Sequence, residues 1–233
     1  MEINLSKYRF ADIEQKVQRI GVQPIDIMVT GVTGAGKSTT LNALFQKSVA
    51  AVGNGVDPET MSLDSYTLNS ACRLWDTPGL GDGVEKDKVH KERMIELLYK
   101  SYLKDDVQYA FIDMVIVIVE GANRDMGTTY TLLNDVIVPN IQSDRVLIAI
   151  NQADVAMKGR HWDYNKNEPD GTLLSFLNEQ AYSVQKRVKE ATGMNVPRPI
   201  FYSAQYGYNV KCFFDFIINH MPLERRKLIG MKY

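Results

Sequence analysis

The stretch Gly31-Val32-Thr33-Gly34-Ala35-Gly36-Lys37-Ser38 decides how the rest of this sequence is interpreted. Two glycines with four residues between them, followed by lysine and a hydroxyl side chain, are typical of a loop that wraps its N–H groups around phosphates. The apolar segment 25–30 before it and the helical segment 37–46 after it give the strand–loop–helix order that this motif requires. The predicted phosphate-binding residues are Val32, Thr33, Gly34, Ala35, Gly36, Lys37, Ser38 and Thr39.

The composition limits the class of protein. The chain has 233 residues, 45% hydrophobic and 24% charged, with a net charge of −1, which is typical of one large or two small globular domains. A charge near zero argues against nonspecific nucleic-acid binding. The longest aliphatic run, 114–119, is too short to span a bilayer, and the first residues lack a signal-peptide pattern. Cys72 and Cys212 match no metal-binding spacing, and they fit a reducing, cytoplasmic location.

Strand-like and helix-like segments alternate along most of the chain. The strand candidates are 25–30, 63–69, 71–76, 114–119, 145–150 and 199–202, and the helix candidates are 10–20, 37–46, 86–104, 128–138, 173–191 and 210–220. This alternation predicts an α/β fold in which helices cover both faces of a parallel sheet. The segments 63–69 and 71–76 predict a hairpin, whereas 49–61 and 155–172 are polar and predict loops.

A second motif, Asp76-Thr77-Pro78-Gly79, lies at the end of the strand candidate 71–76. We predict that Asp76 and Ser38 hold Mg²⁺, and that Gly79 turns its N–H toward a terminal phosphate whose loss would release the loop. Thr60, in the loop between the two motifs, is the predicted second hydroxyl for the metal. The structural alternatives are an ordinary turn at Asp76 and an ordinary strand-start threonine at Thr60.

The third set of residues follows the last two strand candidates. Asp154 could accept hydrogen bonds from the N1–H and 2-amino groups of guanine, and adenine offers neither donor. Asn151 is expected to tie this loop to the phosphate loop, and the backbone of residues 203–205 is expected to contact the guanine oxygen. The predicted base-binding residues are Asn151, Gln152, Asp154, Ser203, Ala204 and Gln205.

Together these motifs resemble the translation-factor class (TRAFAC) of P-loop NTPases over about residues 25–222. The stretch from Trp75 to Gly83 resembles bacterial Era-like GTPases, and the phosphate loop with the Pro78-Gly79-Leu80 turn resembles septins and immune-associated GTPases. The resemblance implies a three-layer α/β/α, Ras-like fold with a six-stranded, mostly parallel sheet that has one antiparallel strand. It also implies GTP as substrate, Mg²⁺ as cofactor, and hydrolysis to GDP and phosphate coupled to a conformational switch.

Three residues depart from that pattern. Leu80 stands where small signalling GTPases carry the glutamine that orients the attacking water, so slow intrinsic hydrolysis is expected. Gln152 replaces the usual lysine, which predicts modestly weaker GTP binding with unchanged specificity. Gly34 replaces the asparagine of potassium-activated relatives, so activation by potassium is not expected.

The catalytic set implied by the resemblance is Lys37, Thr60, Gly79 and Arg124. Arg124 follows a central strand and could act as an arginine finger toward a second molecule, and its alternative is a surface ion pair. Asp82 is a further candidate, with a solvated turn residue as its alternative. The predicted partners are GTP or GDP, a homodimer through the nucleotide face, and an unidentified effector or activating protein.

We expect an amphipathic helix in residues 1–24, a GTPase domain in 25–222 and a short tail in 223–233. The helix, which Ser6 could cap, could cover the domain, dock a partner or touch a membrane, and its mixed polar charges favour the first. The basic stretch 224–227 is expected to be solvated. The alternative to a switch is a protein whose dimerisation or assembly is controlled by GTP, with incidental hydrolysis.

Overall fold

A computed structural model describes residues 5–21, 24–45, 64–122 and 126–228 of the chain. The strands are β1 (Ile25–Gly31), β2 (Asp64–Asn69), β3 (Cys72–Asp76), β4 (Ser101–Lys104), β5 (Val107–Ala110), β6 (Met114–Glu120), β7 (Val146–Asn151), β8 (Trp162–Asp163), β9 (Glu168–Pro169) and β10 (Ile200–Phe201). The helices are α1 (Phe10–Ile20), α2 (Lys37–Phe45), α3 (Val84–Tyr99), α4 (Gly127–Leu132), α5 (Gly171–Thr192) and α6 (Val210–Asn219).

The central sheet has six strands in the order β10-β7-β6-β1-β3-β2. All neighbouring pairs are parallel except β2 and β3, which form the antiparallel hairpin predicted from the sequence. Every residue of β1 is buried, because helices cover both faces of this central strand. The predicted fold class is therefore confirmed: a mostly parallel six-stranded sheet with one antiparallel strand, in a three-layer α/β/α arrangement.

The strand β6 shows how one apolar run serves two cores. Val115, Val117 and Val119 contribute to a core with α3, α4 and α5, whereas the alternate residues of the same strand contribute to a core with α1, α2 and α6. Successive side chains of a strand point to opposite faces, so a strand between two helical layers is apolar at every position. Because β1, β3, β6, β7 and β10 run parallel, the loops that follow them meet at one edge of the sheet. The three sequence motifs lie at this edge.

The helix predicted over residues 86–104 is wrong in its second part. The helix α3 ends at Tyr99, and β4 and β5 form a separate two-stranded hairpin. Tyr102 and Tyr109 pair across this hairpin with ring centroids 6.1 Å apart. The turn uses Asp105 and Asp106 with φ values of 52° and 60°, and two residues with positive φ are the geometry of a tight hairpin.

Two other segments differ in detail from the prediction. The helix expected over 128–138 is α-helical only in α4 and continues as a π-helical turn, Leu133–Ile137. The segment 155–172, predicted as an irregular loop, contains the short antiparallel pair β8 and β9. Trp162 in β8 is buried and packs against Tyr206 and Tyr208, which anchors this segment beside the loop after β10.

The helix α1 covers the domain, which is the first of the three alternatives considered. Its residues Ile13, Val17 and Ile20 are buried in the same core as α6. The Tyr8 hydroxyl donates to Asp215 of α6 at 3.0 Å. The predicted cap at Ser6 is wrong, because the helix begins after Arg9, which has a left-handed conformation and gives no side-chain cap. No helix among the described residues is long and apolar enough to cross a bilayer.

The expectation that the basic stretch 224–227 is solvated is wrong for Arg226, although Glu224 and Lys227 are exposed. Arg226 is 1% exposed, and its guanidinium donates to the carbonyl oxygens of Ile112 at 2.8 Å and Asn140 at 2.7 Å. The Ala110 N–H donates to the Arg226 carbonyl, so the C-terminal segment lies against β5. A buried cation needs such partners because an unpaired one would lose its hydration without compensation.

Asp113, which immediately precedes β6, is expected to make the stability of the protein depend on pH. Burial raises the pKa of this carboxyl from 3.8 to about 7, and the charge of Asp26 adds to the shift, while the Asp26 N–H, Arg145 and Arg226 oppose it. Because the folded state binds the proton more tightly, the free energy of unfolding falls as pH rises from 3.8 to about 7. The slope is at most about 1.4 kcal/mol per pH unit.

Asp113→Asn should flatten this dependence and stabilise the protein at alkaline pH, because an amide oxygen can still accept from the Asp26 N–H. Urea unfolding at pH 5 and pH 8 measures the difference. Asp106→Asn, the same chemical change on an exposed turn, is the control. Parallel pH curves for wild type and Asp113→Asn would contradict the burial argument.

Candidate nucleotide-binding site

The loop between β1 and α2 has the conformation of a phosphate cradle. Gly34 and Gly36 have φ values of 87° and 81°, a region that L side chains rarely adopt. The Lys37 ammonium is buried and donates to the carbonyl oxygens of Val32 at 3.0 Å and Gly31 at 3.4 Å. Burial lowers the pKa of Lys37, and the carboxylates of Asp76 and Asp82 oppose this shift. A phosphate group would stabilise the charged form in the same way.

Gly36 lies where the phosphate loop packs tightly against Asn151 at the end of β7. A Cβ atom added at Gly36 would lie 2.3 Å from Nδ2 of Asn151. That amide donates to the Ala35 carbonyl at 2.9 Å, and its oxygen accepts from the Ala204 N–H at 3.0 Å. The side chain of Asn151 therefore joins its own loop to the phosphate loop and to the loop after β10. The connection to the phosphate loop is the one expected from the sequence.

Ser38 and Asp76 face each other where β3 ends beside the start of α2. The Ser38 hydroxyl donates to Oδ2 of Asp76 at 3.1 Å, and Ser38 is exposed while Asp76 is half-buried. A hydroxyl and a carboxylate are oxygen ligands of the kind that Mg²⁺ binds. The two predicted metal-binding residues that the structure describes are thus adjacent and fit that ion.

The turn after Asp76 packs directly on the phosphate loop. The Thr33 N–H donates to the Leu80 carbonyl at 2.8 Å, and Val32 and Leu80 form an isolated parallel bridge. A Cβ at Gly79 would lie 2.6 Å from the Thr33 nitrogen and 2.7 Å from Nζ of Lys37. Only glycine allows this approach without displacing the loop. The Leu80 side chain is 1% exposed and lies in the core beneath the turn.

The predicted base-binding residues come together on the other side of the phosphate loop. Asp154 is buried, and its Oδ1 accepts from the Ser203 hydroxyl at 2.6 Å. The Gln152 amide donates to the Gly34 carbonyl at 2.8 Å, so its polar end contacts the phosphate loop. The Ala204 N–H, predicted to face guanine, donates to Asn151, and a base would have to share or exchange that bond.

Not every predicted site residue can be located. Thr60 and Arg124 lie outside the described residues. Thr39 and Gln205 are exposed beside the site. None of the sequence motifs includes Asp87 or His90, yet both contact residues 79–82 of the turn after Asp76. Their spacing of three residues on α3 is the signal that could have identified them.

A comparison with protein-family profiles identifies the family of this chain. The profile of the family described as "50S ribosome-binding GTPase" matches residues 26–161, more than half of the chain. The chain belongs to this family. It is a P-loop GTPase G domain, and the matched region contains the phosphate loop, the Asp76–Gly79 motif and the Asn151–Asp154 motif.

Individual relatives of this GTPase are distant. "Translocase of chloroplast 101, chloroplastic" from Physcomitrium patens is 25% identical over 184 residues, covering 75% of the chain. The chain spans only 18% of the length of that translocase. "Probable GTP-binding protein EngB" from Thermotoga petrophila is 27% identical over 145 residues, which cover 61% of the chain and 70% of EngB.

A solved structure supports the fold of this GTPase. Toc33 from Arabidopsis thaliana, in complex with GDP and Mg²⁺, superimposes with a TM-score of 0.63 at 14% identity. The match covers 96% of this chain and 94% of Toc33. Another Toc33 structure, of an Arg-to-Ala mutant described as dimerization deficient, gives a TM-score of 0.59 at 13% identity over 98% of this chain and 99% of Toc33. At these identities the likeness concerns the fold alone.

Proposed function

We propose that this GTPase binds Mg²⁺ and GTP, hydrolyses GTP to GDP and phosphate, and works as a nucleotide-dependent switch. The observation that carries the proposal is the side chain of Asn151, which joins the phosphate loop at Ala35 to the loop after β10 at Ala204. A ligand with both a base and phosphates would contact both ends of this connection. The buried carboxylate of Asp154 gives the base end its preference for guanine over adenine.

The phosphate end would be held by backbone N–H groups of the loop, by the N-terminus of α2 and by Lys37. The Lys37 ammonium now donates to loop carbonyls, and a triphosphate would compete for these bonds. Ser38 and Asp76, with Thr60 from outside the described residues, would hold the metal. When bound, Mg²⁺ neutralises charge that develops on the phosphate oxygens.

The burial of Leu80 supports slow intrinsic hydrolysis. Its side chain is packed in the core and its carbonyl accepts from Thr33, so this residue cannot present a polar group to an attacking water. A partner or a second subunit would have to position that water. Gly79 would be the residue that responds to the γ-phosphate, because it lies against both Thr33 and Lys37.

Nucleotide competition tests the binding part of the proposal. Titration calorimetry with GTP, GDP, ATP and ADP, each with Mg²⁺ and with EDTA, should give tight binding only of the guanine nucleotides in Mg²⁺. Chelation of Mg²⁺ should weaken the binding of GTP more than the binding of GDP, because the ion contacts the additional phosphate only in the triphosphate. Equal affinity for ATP and GTP would contradict the assignment of Asp154.

The alternative function is control of dimerisation or assembly by GTP, with incidental hydrolysis. Leu80 favours it, because an incomplete site invites completion by another molecule, and Toc33 is a relative in fold for which a dimerization-deficient mutant has been studied. GTP hydrolysis against protein concentration, for wild type and Arg124→Ala, separates the two. A specific activity that rises with concentration and collapses in the variant favours the dimer, whereas a flat, unchanged rate favours an external activator.

We also propose that the chain lies near the Era-like branch, since it matches EngB over much of EngB's length. The proposed G domain covers residues 25–222, with α1 and the C-terminal segment packed against it. Both cysteines are free: Cys72 is buried and Cys212 is exposed. The cytoplasmic location stays a prediction.

A further inference from the structure

Two side chains of α3 hold the turn that follows Gly79. The carboxylate of Asp87 accepts from the N–H groups of Gly81 at 2.9 Å and Asp82 at 3.2 Å. Nδ1 of His90 lies 2.9 Å from the carbonyl oxygen of Gly79. A carbonyl oxygen only accepts, so Nδ1 of His90 carries the proton in this contact. We call the contacts of Asp87 and His90 with residues 79–82 the α3 clasp.

The burial pattern of α3 sets these two residues apart from their neighbours. Across residues 84–90, Asp87 and His90 are half-buried and the other five are exposed, including Val84 at 85%. The two side chains lie on one helix face because they are three residues apart. The first two turns of α3 thus touch the rest of the protein through the clasp, while their other side chains face solvent.

The same turn also contacts the phosphate loop. Leu80 accepts from the Thr33 N–H at 2.8 Å, and Gly79 lies against Lys37 and Thr33. Residues 79–82 are therefore held both by the phosphate loop and by the α3 clasp. A γ-phosphate that moved Gly79 would have to move the turn against the clasp, or carry α3 with it.

We propose that Asp87 and His90 are positioning residues that fix the Gly79 turn and transmit its displacement by the γ-phosphate to α3. The inference rests on the proposed function, because it gives the clasp a part in distinguishing GTP from GDP. We assign neither residue a contact with the reacting atoms, because their contacts are with the peptide groups of residues 79–82. Their contribution is the orientation of the peptide groups that flank the turn.

Substitutions of His90 separate a donor role from packing. Asparagine carries its amide nitrogen at the same number of bonds from Cα as Nδ1 of histidine, so His90→Asn keeps the donor, whereas His90→Ala removes it and His90→Gln displaces it. Single-turnover GTP hydrolysis should slow about fivefold to tenfold in the Ala and Gln variants, the effect of one lost hydrogen bond, and stay within about twofold in the Asn variant. GDP affinity should stay within about twofold throughout, since the clasp touches the turn and not the diphosphate site.

Substitutions of Asp87 test the other half of the clasp without nucleotide chemistry. Asp87→Asn keeps an acceptor oxygen and Asp87→Ala does not. Amide hydrogen exchange at Gly81 and Asp82 should accelerate about tenfold in the Ala variant and remain near wild type in the Asn variant. Lys88→Ala, at an exposed position of the same helix turn, is the control and should change neither exchange nor hydrolysis.

The outcomes distinguish this inference from the proposed function. Equal hydrolysis rates for His90→Ala, His90→Asn and wild type would overturn the positioning role, and so would equal losses in both variants. If the wild type binds GDP without hydrolysing GTP, the proposed hydrolysis fails, and amide exchange still decides on the clasp. In that case, exchange at Gly81 that is the same with GDP and with a non-hydrolysable GTP analogue overturns the coupling, and a difference supports it.

Discussion

Asp154→Asn should lower the affinity for GTP by about 10³-fold to 10⁴-fold and shift the preference to xanthosine triphosphate. The carboxylate offers two acceptors for the two guanine donors, whereas asparagine offers one acceptor and one donor. Xanthine has a carbonyl where guanine has an amino group, so it matches asparagine and clashes electrostatically with aspartate. The effect should be large because Asp154 is buried, and a mismatched polar group there cannot turn to water.

Competition titration with GTP and xanthosine triphosphate measures this exchange of preference. Asp144→Asn makes the same chemical change at an exposed position and should leave both affinities unchanged. Ser203→Ala is an intermediate case, since it removes the 2.6 Å hydrogen bond that orients Asp154, and about tenfold weaker GTP binding without a change of preference is expected. If the Asp154→Asn variant still prefers GTP, the guanine base does not bind at Asp154.

The positions of most residues of this site could be predicted from the sequence. Each motif follows a strand of the parallel part of the sheet, and β1, β3, β7 and β10 all present their C-terminal ends to the same edge. Parallel strands impose this regardless of loop details. Hence the convergence of Lys37, Asp76, Asn151 and Asp154 could be predicted, although their individual bonds could not.

Contacts between segments that are distant in sequence and share no motif or periodicity could not be predicted. Arg226 looked like part of a solvated basic run, because nothing local indicates that the carbonyls of Ile112 and Asn140 would receive its guanidinium. The helix predicted over 86–104 included the residues of β4, and β5 was not predicted as a strand. The cross-strand pairs of this hairpin, such as Tyr102 with Tyr109, are contacts that no local sequence pattern indicates.

Leu80 shows a different limit of prediction. From the sequence alone, we inferred only that leucine lacks the amide with which a glutamine at this position would orient water. The structure adds a positive reason for leucine, since the side chain anchors the turn in the core with Met94 and Leu97. A glutamine in that buried place would be left without water or would have to leave the core.

Gly36→Ala should weaken GDP binding by about 100-fold and lower the free energy of unfolding by about 3 kcal/mol. The added Cβ would lie 2.3 Å from Nδ2 of Asn151, so the amide must move and release both Ala35 and Ala204. Strain at a φ of 81° contributes about 1–2 kcal/mol of this loss, and the rest comes from the broken hydrogen bonds.

Gly193→Ala isolates the strain from the clash. Gly193 has a φ of 76° at the end of α5, and an added Cβ there would meet no atom within 4 Å. Urea unfolding should show a loss of about 1–2 kcal/mol for this variant, with normal GDP affinity. Adding Asn151→Ala to Gly36→Ala removes the clashing amide, so stability should partly recover while GDP binding stays weak, because the connection between the loops is still missing. Recovery of full GDP affinity in the double variant would show that Asn151 only fills space, and that the phosphate and base loops hold their geometry without it.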